Sequence, residues 1–294
     1  MILITGASGF IGNRLLYRVV NEFGREKVLA LTSKPINICP YLLHNDYNFE
    51  SDFFIKNGYQ EINTIIHAGA FTPKSSNEGN DYRLCNTNIT NTAKLLSAQL
   101  PYLKKIIFLS TLDVYANSPI IDESSPVSPV SLYGHSKIYC EEMIKSWCKE
   151  NEISNITLRI GHVYGPGEEK YKKIIPVMMR QIIDGKPLTL FGEGDEIRTF
   201  IYVDDVIDAI SNTLRLNVKN ELINIVGSEQ ITIRDLMEMI ISISKRKIII
   251  EKVERGSKPR NLIFNNKRMC DLLHIPKISL SDGLNYEWDY MQKI

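Results

Sequence analysis

The apolar run Ile2-Leu3-Ile4 gives way at once to Thr5-Gly6-Ala7-Ser8-Gly9-Phe10-Ile11-Gly12, and a helical pattern follows directly. No other stretch restricts the fold as much. Gly6 suits a tight turn, Gly9 lets a backbone approach anionic oxygens, and Gly12 permits close helix packing. The helix that follows offers unpaired N–H groups and the positive end of its dipole. Strand, glycine turn and helix start thus come in the order that a dinucleotide pyrophosphate needs, with Gly6, Ser8, Gly9, Phe10, Ile11 and Gly12 as the expected contacts. A glycine triplet alone is equally a plain turn, and it is the strand–helix context that favours a cofactor.

The rest of the chain repeats the rhythm. Ile2 to Thr5, Val28 to Thr32, Thr64 to Ala68, Lys105 to Ser110 and Ile156 to Ile160 read as strands, and Phe10 to Asn21, Asp81 to Gln99 and Tyr133 to Glu150 as helices. Apolar strands without polar alternation, separated by helices, predict a parallel sheet covered on both faces. The fold class is therefore α/β, a Rossmann-type doubly wound parallel sheet. After about residue 165 the rhythm breaks at Gly165-Pro166-Gly167, Gly185-Lys186-Pro187 and Gly192-Glu193-Gly194. We expect residues 1–165 to form a dinucleotide-binding core, with a return segment near 200–215, and residues 166–294 a smaller α/β substrate lobe.

The second strand ends in Ala30-Leu31-Thr32-Ser33-Lys34 and lacks the acidic residue that holds the adenosine ribose of NAD. Hydroxyls and a lysine at Thr32, Ser33 and Lys34 suit a 2′-phosphate better than a carboxylate would, so the expected cofactor is NADP or NAD with NADP favoured, and Arg14 is a further phosphate candidate. As a lone lysine, Lys34 is equally well a solvated loop residue.

Tyr133-Gly134-His135-Ser136-Lys137 opens a predicted helix, and its four-residue spacing places Tyr133 and Lys137 on one face. A tyrosine titrates near pH 10, about three units too high for a base at neutrality, and a neighbouring ammonium is expected to lower that value. Ser110-Thr111 ends the preceding strand, at the sheet edge where open α/β sheets bind ligands, so that Thr111 can hydrogen-bond a reacting oxygen. Thr111, Tyr133 and Lys137 form the expected catalytic group.

Composition removes other classes. The 294 residues carry 35 Lys plus Arg against 34 Asp plus Glu, a net charge of +1, so no global field draws nucleic acid or an anionic membrane. No apolar run approaches the roughly 20 residues of a membrane span, and no charged segment precedes Ile2 to suggest a signal peptide. Cys39, Cys85, Cys140, Cys148 and Cys270 form no Cys-x-x-Cys pair, which speaks against structural zinc and for a reducing cytoplasm.

With the glycine loop, Ser110-Thr111 before Val114-Tyr115, and Tyr133-x-x-x-Lys137 in this order, the chain resembles the extended short-chain dehydrogenases/reductases, specifically the NAD-dependent epimerase/dehydratase family that acts on nucleotide sugars. His67-Ala68-Gly69-Ala70, Asn88-x-x-x-Thr92, Val163-Tyr164-Gly165-Pro166-Gly167 and Arg198-Thr199-Phe200-Ile201-Tyr202-Val203-Asp204-Asp205 extend the likeness over nearly the whole length. The resemblance implies Thr111 positioning the substrate oxygen, Tyr133 as acid/base and Lys137 supporting Tyr133 and the cofactor. It further implies cofactor contacts at Asp46, Tyr47, His67, Ala68, Gly69 and Asn88. On the substrate side it implies His162, where relatives usually carry Asn, with Arg198 and Arg260 on a diphosphate. It also implies a homodimer through the helices at Asp81 to Gln99 and Tyr133 to Glu150.

The departures matter as much. Where 4,6-dehydratases carry an Asp-Glu pair after the Thr, this chain has Leu112 and Asp113, and a leucine cannot donate a proton. We therefore expect no 4,6-dehydration, and take Asp113 as a cap. Asn265 and Asn266 stand where an Asp is common. The expected activity is NAD(P)-dependent hydride transfer at carbon 4 of a nucleotide-diphosphate hexose, 4-ketoreduction first and 4-epimerisation close behind, without a metal. A non-catalytic dinucleotide sensor and a reductase of a carbonyl compound without a nucleotide are the alternatives.

Overall fold

The computed structural model describes residues 1–44, 46–254, 256 and 260–294. In chain order its elements are β1 (Ile2–Thr5), α1 (Phe10–Phe23), β2 (Val28–Thr32), β3 (Tyr41–Leu43), α2 (Phe53–Lys56), β4 (Thr64–His67), α3 (Ser76–Gly79), α4 (Tyr82–Leu96), β5 (Lys105–Thr111), α5 (Leu132–Glu150), β6 (Ser154–Ile160), β7 (His162–Tyr164), α6 (Ile174–Ile183), β8 (Leu188–Phe191), β9 (Ile197–Tyr202), α7 (Val203–Asn212), β10 (Asn220–Ile225), β11 (Gln230–Thr232), α8 (Ile233–Ser244), β12 (Ile250–Val253), α9 (Lys267–Leu272) and α10 (Leu280–Met291). Seven strands form one sheet in the order β10-β6-β5-β4-β1-β2-β3. Every pairing within it is parallel.

The unbroken apolar strands follow from two covered faces. Ile2 and Ile4 of β1 pack into one core with Leu15, Leu16 and Val19 of α1 and Val206 and Ile210 of α7, whereas Leu3 between them joins Leu95 and Leu96 of α4 and Ile144 of α5 in the other. Successive residues on a strand point to opposite faces, so both registers must be apolar. Capping sets where the helices begin: Asp81 accepts the N–H groups of Arg83 and Leu84, and Ser131 that of Gly134. Asp81 is thus a cap outside its helix, and α5 begins at Leu132, one residue before Tyr133.

Two strands of the seven-stranded sheet lie outside the sequence expectation. β3 is a three-residue edge strand, and β10 adds residues 220–225 to the main sheet beside β6, beyond the 200–215 return that we expected. Smaller sheets order as β11-β9-β7 and β12-β8. Among the described residues, no helix is long and apolar enough to cross a membrane.

Candidate active site

At the carboxyl ends of β1, β4, β5 and β6 lies a cavity of about 490 Å³ whose wall includes the glycine loop, Tyr133, Lys137 and His162. Gly6, Ser8, Gly9, Phe10, Ile11 and Gly12 line one end. Gly6 has φ +66°, and a Cβ there would lie 2.6 Å from Gly69 Cα; a Cβ on Gly12 would lie 2.1 Å from the Gly6 carbonyl oxygen. Both positions therefore exclude any side chain. Gly9 precedes α1 without a side-chain cap, which leaves the first-turn N–H groups to be satisfied by something else. A side-chain-free loop ending in an uncapped helix fits a pyrophosphate.

Ser33, Asp46, Tyr47, Ala68 and Gly69 also line the cavity. Asp46 and Tyr47 both have positive φ, 48° and 55°, and the Tyr47 hydroxyl is buried near Thr5. Thr32, Lys34, His67 and Asn88 are not part of the lining. The Thr32 hydroxyl closes a turn onto the backbone of Lys34. His67 is buried and spends its ring nitrogens on Thr5 at 2.8 Å and Thr92 at 3.1 Å. Burial, with the charge of Lys137, pushes its pKa down to about 3, so the imidazole is neutral. Asn88 accepts the Phe71 N–H at 2.7 Å and donates to Ser136, which anchors the loop whose residues Ala70, Thr72 and Pro73 face the cavity. Arg14 does not line the cavity, and its guanidinium donates to the Pro166 carbonyl at 2.6 Å.

Thr111, Tyr133 and Lys137 meet at the other end. The Tyr133 phenol is buried beside Asp113 and within hydrogen-bonding reach of Thr72 and Thr111. Burial and then the Asp113 charge raise its pKa above the ordinary tyrosine value, against the pull of those hydroxyls. Contrary to the expectation from spacing, the value stays raised despite the nearby Lys137, because burial dominates. The Lys137 ammonium is directed at the Leu109 carbonyl, 2.7 Å away, and at the face of Phe108, 4.2 Å from the ring centre.

Asp113 also departs from expectation. Thr111 is the cap, accepting the Asp113 N–H at 3.2 Å, while the Asp113 side chain is exposed on the cavity wall. His162 stands on the same wall with Nδ1 buried and unpartnered. Burial drives its pKa down to about 4 although Asp113 opposes this, so the ring is neutral. Arg198 and Arg260 lie behind it, outside the lining. Arg198 donates to the Arg260 carbonyl at 2.6 Å, and its charge reaches His162. Arg260 donates to the Tyr115 carbonyl at 3.1 Å and leaves Nε buried and unpartnered. Asn265 and Asn266 are structural: the first accepts the Lys267 N–H and the second donates to Ser228.

His44, Thr72, Asn91, Tyr171 and Lys173 line the cavity although no motif marked them. Most stand in loops whose path depends on contacts distant in sequence. A paired signal existed for Tyr171 alone, as an aromatic soon after Gly167, and its ring meets Phe10 at 6.2 Å.

The sequence profile of the NAD dependent epimerase/dehydratase family matches residues 2–226. A dTDP-D-glucose 4,6-dehydratase of Dictyostelium discoideum is 28% identical over 83% of this chain, which spans only 62% of that protein. The dTDP-4-dehydro-6-deoxyglucose reductase of Escherichia coli is 28% identical, with 97% of this chain and 95% of that one covered. Among solved structures, a UDP-glucuronic acid 4-epimerase of Bacillus cereus in complex with UDP-glucuronic acid and NAD superposes with a TM-score of 0.86 at 27% identity, covering 99% of each chain.

Proposed function

We propose, from the premise that the chain belongs to the NAD dependent epimerase/dehydratase family, that its cavity performs hydride chemistry at carbon 4 of a nucleotide-diphosphate hexose with Tyr133 as the acid/base. The observation that carries this reading is the Tyr133 phenol beside the hydroxyls of Thr111 and Thr72, in the same cavity as the glycine loop. When bound, a nicotinamide dinucleotide supplies or accepts the hydride. Gly6 to Gly12 would hold its pyrophosphate, Ser33 and Asp46 its adenosine end, and Lys137 its nicotinamide ribose. Thr111 orients the sugar oxygen at carbon 4, and Tyr133 gives it a proton or takes one away.

A protonated phenol can give its proton to the oxygen of a 4-ketone as it becomes an alcohol, and a phenolate can take one back in the oxidative direction. At the adenosine end Ser33 lines the cavity and Lys34 follows it in the chain, and on these two residues we rest the preference for NADP. We therefore place 4-ketoreduction first. The likeness to a UDP-glucuronic acid 4-epimerase favours 4-epimerisation as the second reading, with the same half-reaction run in both directions on two faces of the sugar. Beside a dehydratase relative, Leu112 alone no longer argues against 4,6-elimination, and that reaction belongs in the assays. A homodimer through α4 and α5 belongs to the same reading, since these helices expose Tyr82, Leu84 and Tyr139.

The deciding experiment is mass spectrometry of small molecules released from the purified protein, followed by assays with UDP- and dTDP-linked hexoses and their 4-keto forms. Reversible NADPH binding with oxidation by a 4-keto sugar is the expected result. Tightly retained NAD with inversion at carbon 4 would establish the second reading, and no dinucleotide binding would overturn both. In the same assays, Arg198→Ala is expected to raise KM for the nucleotide sugar by roughly 10- to 100-fold, the worth of one charged hydrogen bond, with kcat nearly unchanged. An unchanged KM would remove Arg198 from the diphosphate.

A further inference from the structure

The last three residues of β5 are each tied to a different turn of α5. Thr111 stands beside Tyr133, the Leu109 carbonyl accepts from Lys137 Nζ at 2.7 Å, and the Ser110 hydroxyl donates to Glu141 Oε1. Tyr133, Lys137 and Glu141 are spaced by four residues and so form one stripe along the helix. The third tie is charged. Arg159, on the neighbouring strand β6, grips Glu141 with two parallel bonds, Nε to Oε1 at 3.1 Å and Nη2 to Oε2 at 2.7 Å. Both side chains are buried, with 6% and 7% exposed.

A buried ion pair is a poor source of stability, because desolvation of both charges offsets their attraction and apolar replacements often do as well. Its position one helical turn from the lysine of the site suggests a different use. Lys137 is 2% exposed, and burial pushes its pKa down to about 8. Its charge at neutral pH therefore depends on its neighbours. Tyr133, Cys140 and Glu141 face it from α5, His67 from β4 and Phe108 from β5, with Arg159 of β6 behind Glu141. His67 is neutral, and the Cys140 thiol is held above its ordinary value by burial. Glu141, with both carboxylate oxygens held by Arg159, is the acidic neighbour that opposes the lowering of Lys137.

We propose that Glu141 is a positioning residue that keeps Lys137 protonated and locks α5 in register with the end of β5, with Arg159 fixing its carboxylate. The consequence for turnover rests on the role given to Lys137 above, but the ionisation is measurable in the resting protein. With ¹³C at lysine Cε, and the Lys137 signal assigned by its loss in Lys137→Arg, NMR follows the titration from about pH 6 to about pH 11. Glu141→Gln is expected to lower the Lys137 midpoint by about one pH unit, and Glu141→Asp to restore most of it. The alkaline limb of kcat/KM should move with the midpoint. If Glu141→Gln fails to fold because Arg159 is stranded, Glu141→Gln/Arg159→Met removes both charges together and should shift the midpoint in the same direction. A midpoint that stays at the wild-type value in a folded variant overturns the proposal, even where turnover falls. Absence of turnover in the wild type would count instead against the function proposed above.

Discussion

Tyr133→Phe is expected to lower turnover by roughly 10²- to 10⁴-fold while leaving dinucleotide affinity close to wild type. The substitution keeps the ring, which is only 7% exposed, and removes one oxygen. That oxygen is the proton donor next to Thr111 and Thr72. Losing it costs the fold on the order of 1 kcal/mol, far below what would unfold a domain of this size. The glycine loop that would hold the pyrophosphate is at the other end of the cavity and is untouched. Turnover is followed by nicotinamide absorbance and affinity by calorimetry. With the phenol raised above its ordinary value, the wild-type reductive rate should be flat across neutral pH, while the oxidative direction, which needs the phenolate, should accelerate as pH rises. Equal turnover in the mutant would remove Tyr133 from the chemistry.

The legible parts of this site are those whose chemistry is local in sequence. Gly6 to Gly12 must follow a strand and open a helix, and Tyr133 and Lys137 must be one helical turn apart, so a single stretch of chain records each requirement. The direction of a side chain is not recorded in this way. Arg14 follows the glycine loop, yet it turns to the Pro166 carbonyl, 152 residues further along the chain. Lys137 has the spacing to act on Tyr133, yet the Leu109 carbonyl and the Phe108 face hold its ammonium. His67 belongs to a recognisable motif, yet it binds Thr5 and Thr92 beneath the cavity instead of lining it. β10 was missed for a related reason: its partner β6 is far away in sequence, and Leu222 to Ile225 is too short a run to stand out. Long-range pairing decided these cases, whereas propensity and spacing decided the others.

Glu287→Gln is expected to stabilise the protein by about 3 kcal/mol at pH 7 and by almost nothing near pH 4.5. Glu287 is 0% exposed, and neither carboxylate oxygen has a hydrogen-bond partner. Burial first, then the charges of Glu168 and Glu169, push its pKa from 4.5 up to about 8, with Arg14 opposing. Between those two values the folded protein keeps a proton that the unfolded chain has released, so stability falls as pH rises through this window. An amide resembles the protonated acid but cannot ionise, so the variant should lose this part of the slope. Glu168 contributes a smaller slope of the same sign: burial raises its pKa to about 7 against the attraction of Lys173, 3.0 Å away. That residual dependence should survive in Glu287→Gln. Urea denaturation at several pH values between those limits gives both slopes, and identical slopes in the two proteins would show that Glu287 is ionised in the fold. The cluster also has a path to the site, because Lys173 pairs with Glu168 and lines the cavity. Protonation of Glu168 near neutrality releases that lysine from its partner, so a pH dependence of substrate KM that disappears in Lys173→Met would trace the link from a buried carboxylate to binding.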